Sequence, residues 1–284
     1  MSEDLSHPKF PLIPGIAGGL GPFAHVGFEK RMLELSADRF GAVCDDDFPE
    51  WIVSCVPQVP VRSEALLGKA PSPEPYLIRS FRRLEKAGAD FLAVTCNTAH
   101  AFLPAIAADI SLPLVHVVTE TVDYVLSHYP SVRRAGLLGT TGTCRFGLFG
   151  QVFAGRGVEL VYPPDSEDDS DPSNLQERLV MQAIFGPYEN GKRTGGIKAG
   201  LLDEGNPSPR DLLREAASCL VEQQGAEVVI LACSEISLAL GPDDATVPVV
   251  DTMDVLALAM LDLAHGDRSL KDLPTPDAWP KPKK

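Results

Sequence analysis

Two segments of this chain repeat one pattern: GADFLAVTCNTAH at residues 88 to 100, and GAEVVILACSEIS at residues 225 to 237. Each begins Gly-Ala-acid and runs through an uninterrupted apolar stretch. Each then places a cysteine eight residues after its glycine, Cys96 after Gly88 and Cys233 after Gly225. A short apolar run without polar alternation suits a strand buried on both faces, as in a parallel sheet. The glycine ahead of it suits the left-handed cap that stops a preceding helix. A chain that does this twice is constrained to α/β units, and to at least two of them.

The flanking sequence completes each unit. PLIPGIAGGLGPFAHVGFEKRMLEL reads as strand, Gly-rich turn and helix. FPEWIVSCVPQVPVRS gives a strand over 51–56 and a Pro-punctuated loop through Arg62, and PYLIRSFRRLEKAGA carries Leu77, Ile78, Phe81 and Leu84 at helical spacing. The order restarts at residue 135. AGLLGTTGTCRFGLFGQVFAGRG is strand, turn and helix, DLLREAASCLVEQQGAE is a helix, and VVILACSEISLAL is strand, turn and helix. SLPLVHVV after the first cysteine segment matches TVPVVDTM after the second. The expected fold is α/β, two pseudo-symmetric doubly wound domains with parallel sheets and a site in the cleft between them. Residues 1–118 and 119–251 form the two halves, a helix over 252–268 packs back on the first, and the Pro- and Lys-rich 269–284 is expected to fray. At 284 residues the chain is long enough for two such halves.

Charge and cysteine usage narrow the function. The net charge of −14 argues against a nucleic-acid partner, which draws on clustered Lys and Arg. No apolar run approaches the roughly 18 residues that would span a bilayer, and MSEDLSHPKF lacks a basic-then-apolar signal, so a cytoplasmic protein with no membrane partner is expected. Six cysteines in that setting default to reduced thiols. No CxxC or HxxxH spacing supplies a zinc ligand set, so no metal is expected.

In doubly wound sheets, ligands sit beyond the carboxyl ends of strands. Cys96 and Cys233 both fall there. A thiol at a helix N-terminus can ionise near neutral pH. Pseudo-twofold symmetry then sets one thiolate against one thiol, the pair needed to remove a proton from one face of a carbon acid and return one to the other. Matching across the repeat singles out these two, while Cys44, Cys55, Cys144 and Cys219 read as small buried hydrophobes. His100, four residues after Cys96, is open as a ligand, a surface residue or a helper that stabilises the thiolate.

At these residues the sequence resembles the aspartate/glutamate racemase family of cofactor-independent amino-acid racemases. CNTAH at 96–100 is similar to its first catalytic motif and ACSEI at 232–236 to its second; GIAGGLGP, VPQVPVRS, GLLGTTGT and GIKAG resemble four further motifs in the family's order. Ala17-Gly18-Gly19 and Cys-Ser-Glu point to the aspartate branch. The resemblance implies Cys96 and Cys233 as acid/base pair, with His100 and Glu235 tuning or orienting them. It implies Arg62 and Lys198 on the substrate carboxylates, and Asn97, Thr98, Thr141 and Ser234 on the α-carboxylate and ammonium. It further implies a small amino-acid substrate, no pyridoxal phosphate, and a homodimer. His25, Val61, Ser234 and a longer 186–198 segment, read as a lid with Lys192, Arg193 and Lys198, depart from the family pattern at the pocket rim. The rival readings are a hydantoin racemase, a maleate isomerase, or a non-catalytic metabolite-binding protein.

Overall fold

The computed structural model describes residues 9–189 and 192–283. The first half runs β1 (Pro14–Gly18), α1 (Pro22–Phe40), β2 (Ile52–Cys55), α2 (Arg62–Leu66), α3 (Glu74–Ala87), β3 (Phe91–Val94), β4 (Leu114–Val115) and α4 (Val117–His128). The second runs β5 (Arg134–Leu138), α5 (Thr141–Arg145), α6 (Leu148–Ala154), β6 (Glu159–Val161), α7 (Gln182–Phe185), the strands β7 (Tyr188–Glu189) and β8 (Lys192–Arg193), α8 (Pro209–Ser218), β9 (Val228–Leu231), β10 (Val249–Asp251) and α9 (Thr252–His265).

Two four-stranded parallel sheets result, β2-β1-β3-β4 and β6-β5-β9-β10, in the same order. The repeat extends to single hydrogen bonds. Asp90 N–H donates to the Ile13 carbonyl at 2.8 Å and Thr95 N–H to that of Ala17 at 3.2 Å. The counterparts are Glu227 to Arg134 at 2.9 Å and Ala232 to Leu138 at 2.7 Å. Leu92 to Pro113 (2.8 Å) and Val229 to Pro248 (2.9 Å) match in the same way. Gly88 and Gly225 both take positive φ, 98° and 69°, where a side chain would be strained.

The central strands β3 and β9 are buried along their whole length, which is why neither alternates polar and apolar residues. Helix α9 packs against α1 and α4, burying Leu256, Met260, Leu261 and Leu263 in the first core. Among the described residues no helix is long and apolar enough to cross a membrane.

The structure departs from the sequence reading in four places. The segments after both cysteines are 3-10 rather than α-helical, Thr98–Asp109 and Ile236–Leu238. Pro104 inside the first lacks the N–H that an α-helix would need, and Gly241-Pro242 follows closely on the second. The helix expected after β5 is broken into α5 and α6 at Gly147, whose φ is 62°. The 186–198 segment is a β7–β8 hairpin followed by a 3-10 turn, Gly196–Ala199, with residues 190 and 191 outside the described residues. Arg193 ties the hairpin to Glu177 (2.7 and 3.0 Å) and lies over the Tyr188 ring. Last, the tail expected to fray folds through Leu270–Asp272 and Pro276–Ala278 and buries Trp279 in the first core. Burial of the indole stabilises by roughly 2 kcal/mol, which offsets part of the cost of ordering residues that proline has already stiffened.

Candidate functional site

The carboxyl ends of the two sheets share one cavity. The first half contributes Val61, Arg62, Ser63 and the turn Cys96-Asn97-Thr98; the second contributes Thr140, Phe185, Lys198 and the turn Cys233-Ser234-Glu235. Its volume is about 10 Å³, which is room for about one water. An amino acid needs these walls to part, so the structure is that of a closed site.

Each cysteine stands two residues beyond its strand, and each is 6% exposed. The Cys233 thiol donates to Glu235 Oε2 at 3.2 Å. Burial, then the adjacent carboxylate, push this thiol well above the ordinary range. The expectation of a lowered thiol at a helix N-terminus therefore reverses at Cys233, because a three-residue 3-10 turn supplies little dipole and a carboxylate faces the sulfur. Burial also disfavours the charged form of Glu235, but the Lys198 ammonium in contact with Oε1 wins and holds the carboxyl below its usual value. Lys198 Nζ lies 5.3 Å from the Phe185 ring centroid.

Arg62 is buried, and its guanidinium is fixed by the carbonyls of Leu20, Val59 (3.4 Å) and Pro60 (3.3 Å) while Nε has no partner among the described residues. Asn97 Nδ2 donates to Thr252 Oγ1 at 2.9 Å and leaves Oδ1 without a partner among the described residues. Thr98 Oγ1 pairs with Thr143 Oγ1 at 2.8 Å and Thr140 Oγ1 at 3.1 Å, joining the first half's cysteine turn to the start of α5. Ser234 Oγ donates to Glu235 Oε2 at 3.3 Å.

Thr141 is not on the cavity wall; its N–H turns to Met181 Sδ at 3.4 Å, and Thr140 occupies the wall instead. Thr140 is the cap residue whose hydroxyl accepts from Thr143 N–H; the N-cap preference suits either threonine, so only the start of α5 tells them apart. Ser63 and Phe185 carried no sequence signal; only the docking of α2 and α7 against the cleft reveals them. His100 is fully buried beneath the site. Val117 N–H donates to Nε2 at 3.3 Å, so Nδ1 carries the proton and donates to the Cys96 carbonyl at 2.9 Å. Burial lowers its pKa to about 4. It thus contacts the Cys96 backbone as a neutral ring, which differs from a cation beside the sulfur. His25 is likewise no rim residue: it is buried over Gly18 and paired with Glu29 at 3.1 Å. All six cysteines are free, and Cys44 and Cys55 are exposed rather than buried, since the strand end and loop that carry them face solvent. Among the described residues no group of three or more His, Cys, Asp or Glu is placed to hold a metal.

Gly21 shows how tightly the closed site is built. A Cβ there would collide with Glu235 Oε1 and come within 3.3 Å of Lys198 Nζ. Gly21→Ala is expected to lower kcat/KM on the order of tenfold by displacing that pair, with an unchanged circular dichroism spectrum.

The family model described as Asp/Glu/hydantoin racemase matches residues 18–260. The broad specificity amino-acid racemase RacX of Bacillus subtilis (strain 168) is 25% identical over 245 residues, covering 86% of this chain and 94% of the relative. Among solved structures, the Picrophilus torridus aspartate racemase superposes with a TM-score of 0.69 at 21% identity, covering 89% of this chain and 94% of its own. An aspartate racemase homologue from Pyrococcus horikoshii OT3 gives 0.63 at 23% identity, covering 88% and 98%.

Proposed function

The chain belongs to the Asp/Glu/hydantoin racemase family and is an isomerase of that kind, and from that premise we propose that Cys96 and Cys233 invert Cα of aspartate or a related acidic amino acid without a cofactor. One observation carries the reading: equivalent cysteines, one from each half, line the same closed cavity. Cys233 rests as the thiol, so it returns the proton, and Cys96 acts as the base that removes it. In the reverse direction Cys233 must lose its proton, and Glu235 Oε2 at 3.2 Å is placed to take it. The unpaired Arg62 Nε and Asn97 Oδ1, a buried donor and a buried acceptor, suit the substrate's α-carboxylate and ammonium. Lys198 serves a second carboxylate by turning from Glu235 as the site opens. Arg62 and Lys198, with the turn amides, oppose the negative charge that develops as Cα loses its proton, and the closed walls strengthen that interaction by excluding water. The assembly proposed is a cytoplasmic homodimer; α1 leaves Phe23, Val26 and Leu33 exposed along one face.

Proton NMR in D₂O tests the reaction, with single enantiomers of aspartate, glutamate and a panel of neutral amino acids. Loss of the Cα–H signal as the enantiomer appears is the expected result. A fully reduced protein that exchanges none of them defeats the proposal, and a covalent maleate adduct in the intact mass would point to the isomerase reading instead. The state of Cys233 has its own check. Its alkylation by iodoacetamide is expected to be slow at pH 7 and to rise only well above the ordinary thiol value of about 8.5.

A further inference from the structure

Beneath Cys96 lies a group that this chemistry does not use. His116 is fully buried, and neither ring nitrogen has a hydrogen-bond partner among the described residues. It precedes α4 at the position that Asp251 holds before α9, as the matched Pro113 and Pro248 bonds align them. Asp251 caps its helix by accepting from Met253 N–H at 2.8 Å. The His116 side chain caps nothing. Its ring instead meets the His100 ring edge to face, 4.8 Å between centroids at 82°, and stacks on Trp279 at 5.6 Å and 29°. His100 in turn holds the Cys96 carbonyl. An unbroken line of contacts therefore runs from the C-terminal tail to the peptide that carries Cys96.

The same tail is fixed to the other half. Lys283 N–H donates to the Phe146 carbonyl at 3.0 Å, and the Gln151 side-chain amide donates to the Lys281 carbonyl. Phe146 ends α5, the helix whose Thr140 and Thr143 hold Thr98.

We propose that Trp279 is a positioning residue for Cys96: it seals and orients the His116–His100 pair, and residues 270–283 strap the two halves together behind the cleft. The assignment rests on the racemase reading. Its physical basis is the neutrality of the pair. The titratable neighbour of His116 is His100, while Trp279 on the tail and Val117 on α4 bring no charge. Burial keeps both rings unprotonated, so His100 can hold one tautomer and one hydrogen bond to Cys96. Without the indole, water reaches His116 and its pKa rises toward the unperturbed value of about 6.5. A proton there disturbs the edge-to-face contact and, through His100, the Cys96 turn.

The test compares full-length wild type, Trp279→Ala and Trp279→Phe by kcat and KM across pH, and by imidazole NMR titration of His116. Trp279→Ala is expected to lose on the order of tenfold in kcat with KM little changed, because a small misplacement of a reacting group is costly. It also gains a loss of activity as pH falls through about 6.5, with His116 titrating in step, whereas wild-type His116 stays neutral. Trp279→Phe restores both. Wild-type kcat and pH profile in Trp279→Ala would overturn the proposal, as would a pH-independent loss that Phe does not rescue. If wild type itself inverts no amino acid, the racemase reading has failed separately. The strap then stands or falls on the His116 titration and on a changed alkylation rate of Cys96 in Trp279→Ala; no change in either overturns it.

Discussion

Cys96→Ser and Cys233→Ser are each expected to lower racemisation by about 10³-fold, within the range that a positioned general acid or base contributes. A serine hydroxyl fills nearly the same space but ionises far less readily than a thiol, so the site survives while the proton transfer does not. The losses should also be complementary. A variant that keeps one sulfur can still remove the proton from one enantiomer, so slow exchange of Cα–H for deuterium is expected with one enantiomer in Cys96→Ser and with the other in Cys233→Ser. Cys219→Ser is the control: Cys219 is equally buried but sits in the helical segment after α8, remote from the cavity lining, and turnover should not change. Unchanged turnover in either active-site variant, or exchange of the same enantiomer in both, would defeat the assignment of one thiol to each face.

Lys198→Ala should have the largest effect on stability, and its size depends on pH. In wild type the carboxyl of Glu235 is held below its ordinary value by Lys198, so the stabilisation it contributes is complete above that value and disappears as pH falls through the depressed one. Without the ammonium, burial dominates and raises the carboxyl instead, so the variant loses stability as pH rises. Glu235 is only 3% exposed, and an unpaired buried charge costs several kcal/mol. Denaturant unfolding should therefore show a difference near zero below the depressed value of Glu235 that grows to about 3 kcal/mol by pH 7. Glu235→Gln should be milder, because Lys198 is 23% exposed and can turn to water. A difference independent of pH would mean that the pair contributes through packing rather than charge.

The two sheets and the two cysteines were legible before any coordinates. Uninterrupted apolar strands, each opened by a left-handed glycine, are local patterns, and their repetition at equal spacing identified the pair of halves. The turns after the cysteines also offered Asn97, Thr98, Ser234 and Glu235, and the family resemblance pointed to Arg62 and Lys198; all six line the cavity. The resemblance pointed to Thr141, whereas its neighbour Thr140 lines the cavity, because which of two threonines caps α5 depends on where the helix begins.

What the sequence by itself determined is therefore the α/β repeat and the side chains brought to its strand ends. Which of these groups are charged was decided by tertiary structure, because a pKa depends on neighbours and burial. Lys198 lies 37 residues from the carboxylate it pairs with, and that carboxylate, with burial, keeps Cys233 a thiol. The tail was likewise beyond local reading. Its proline and lysine content favours an extended, solvated chain, and only the open face beside His116, built by distant elements of the first half, gives Trp279 a place to bury.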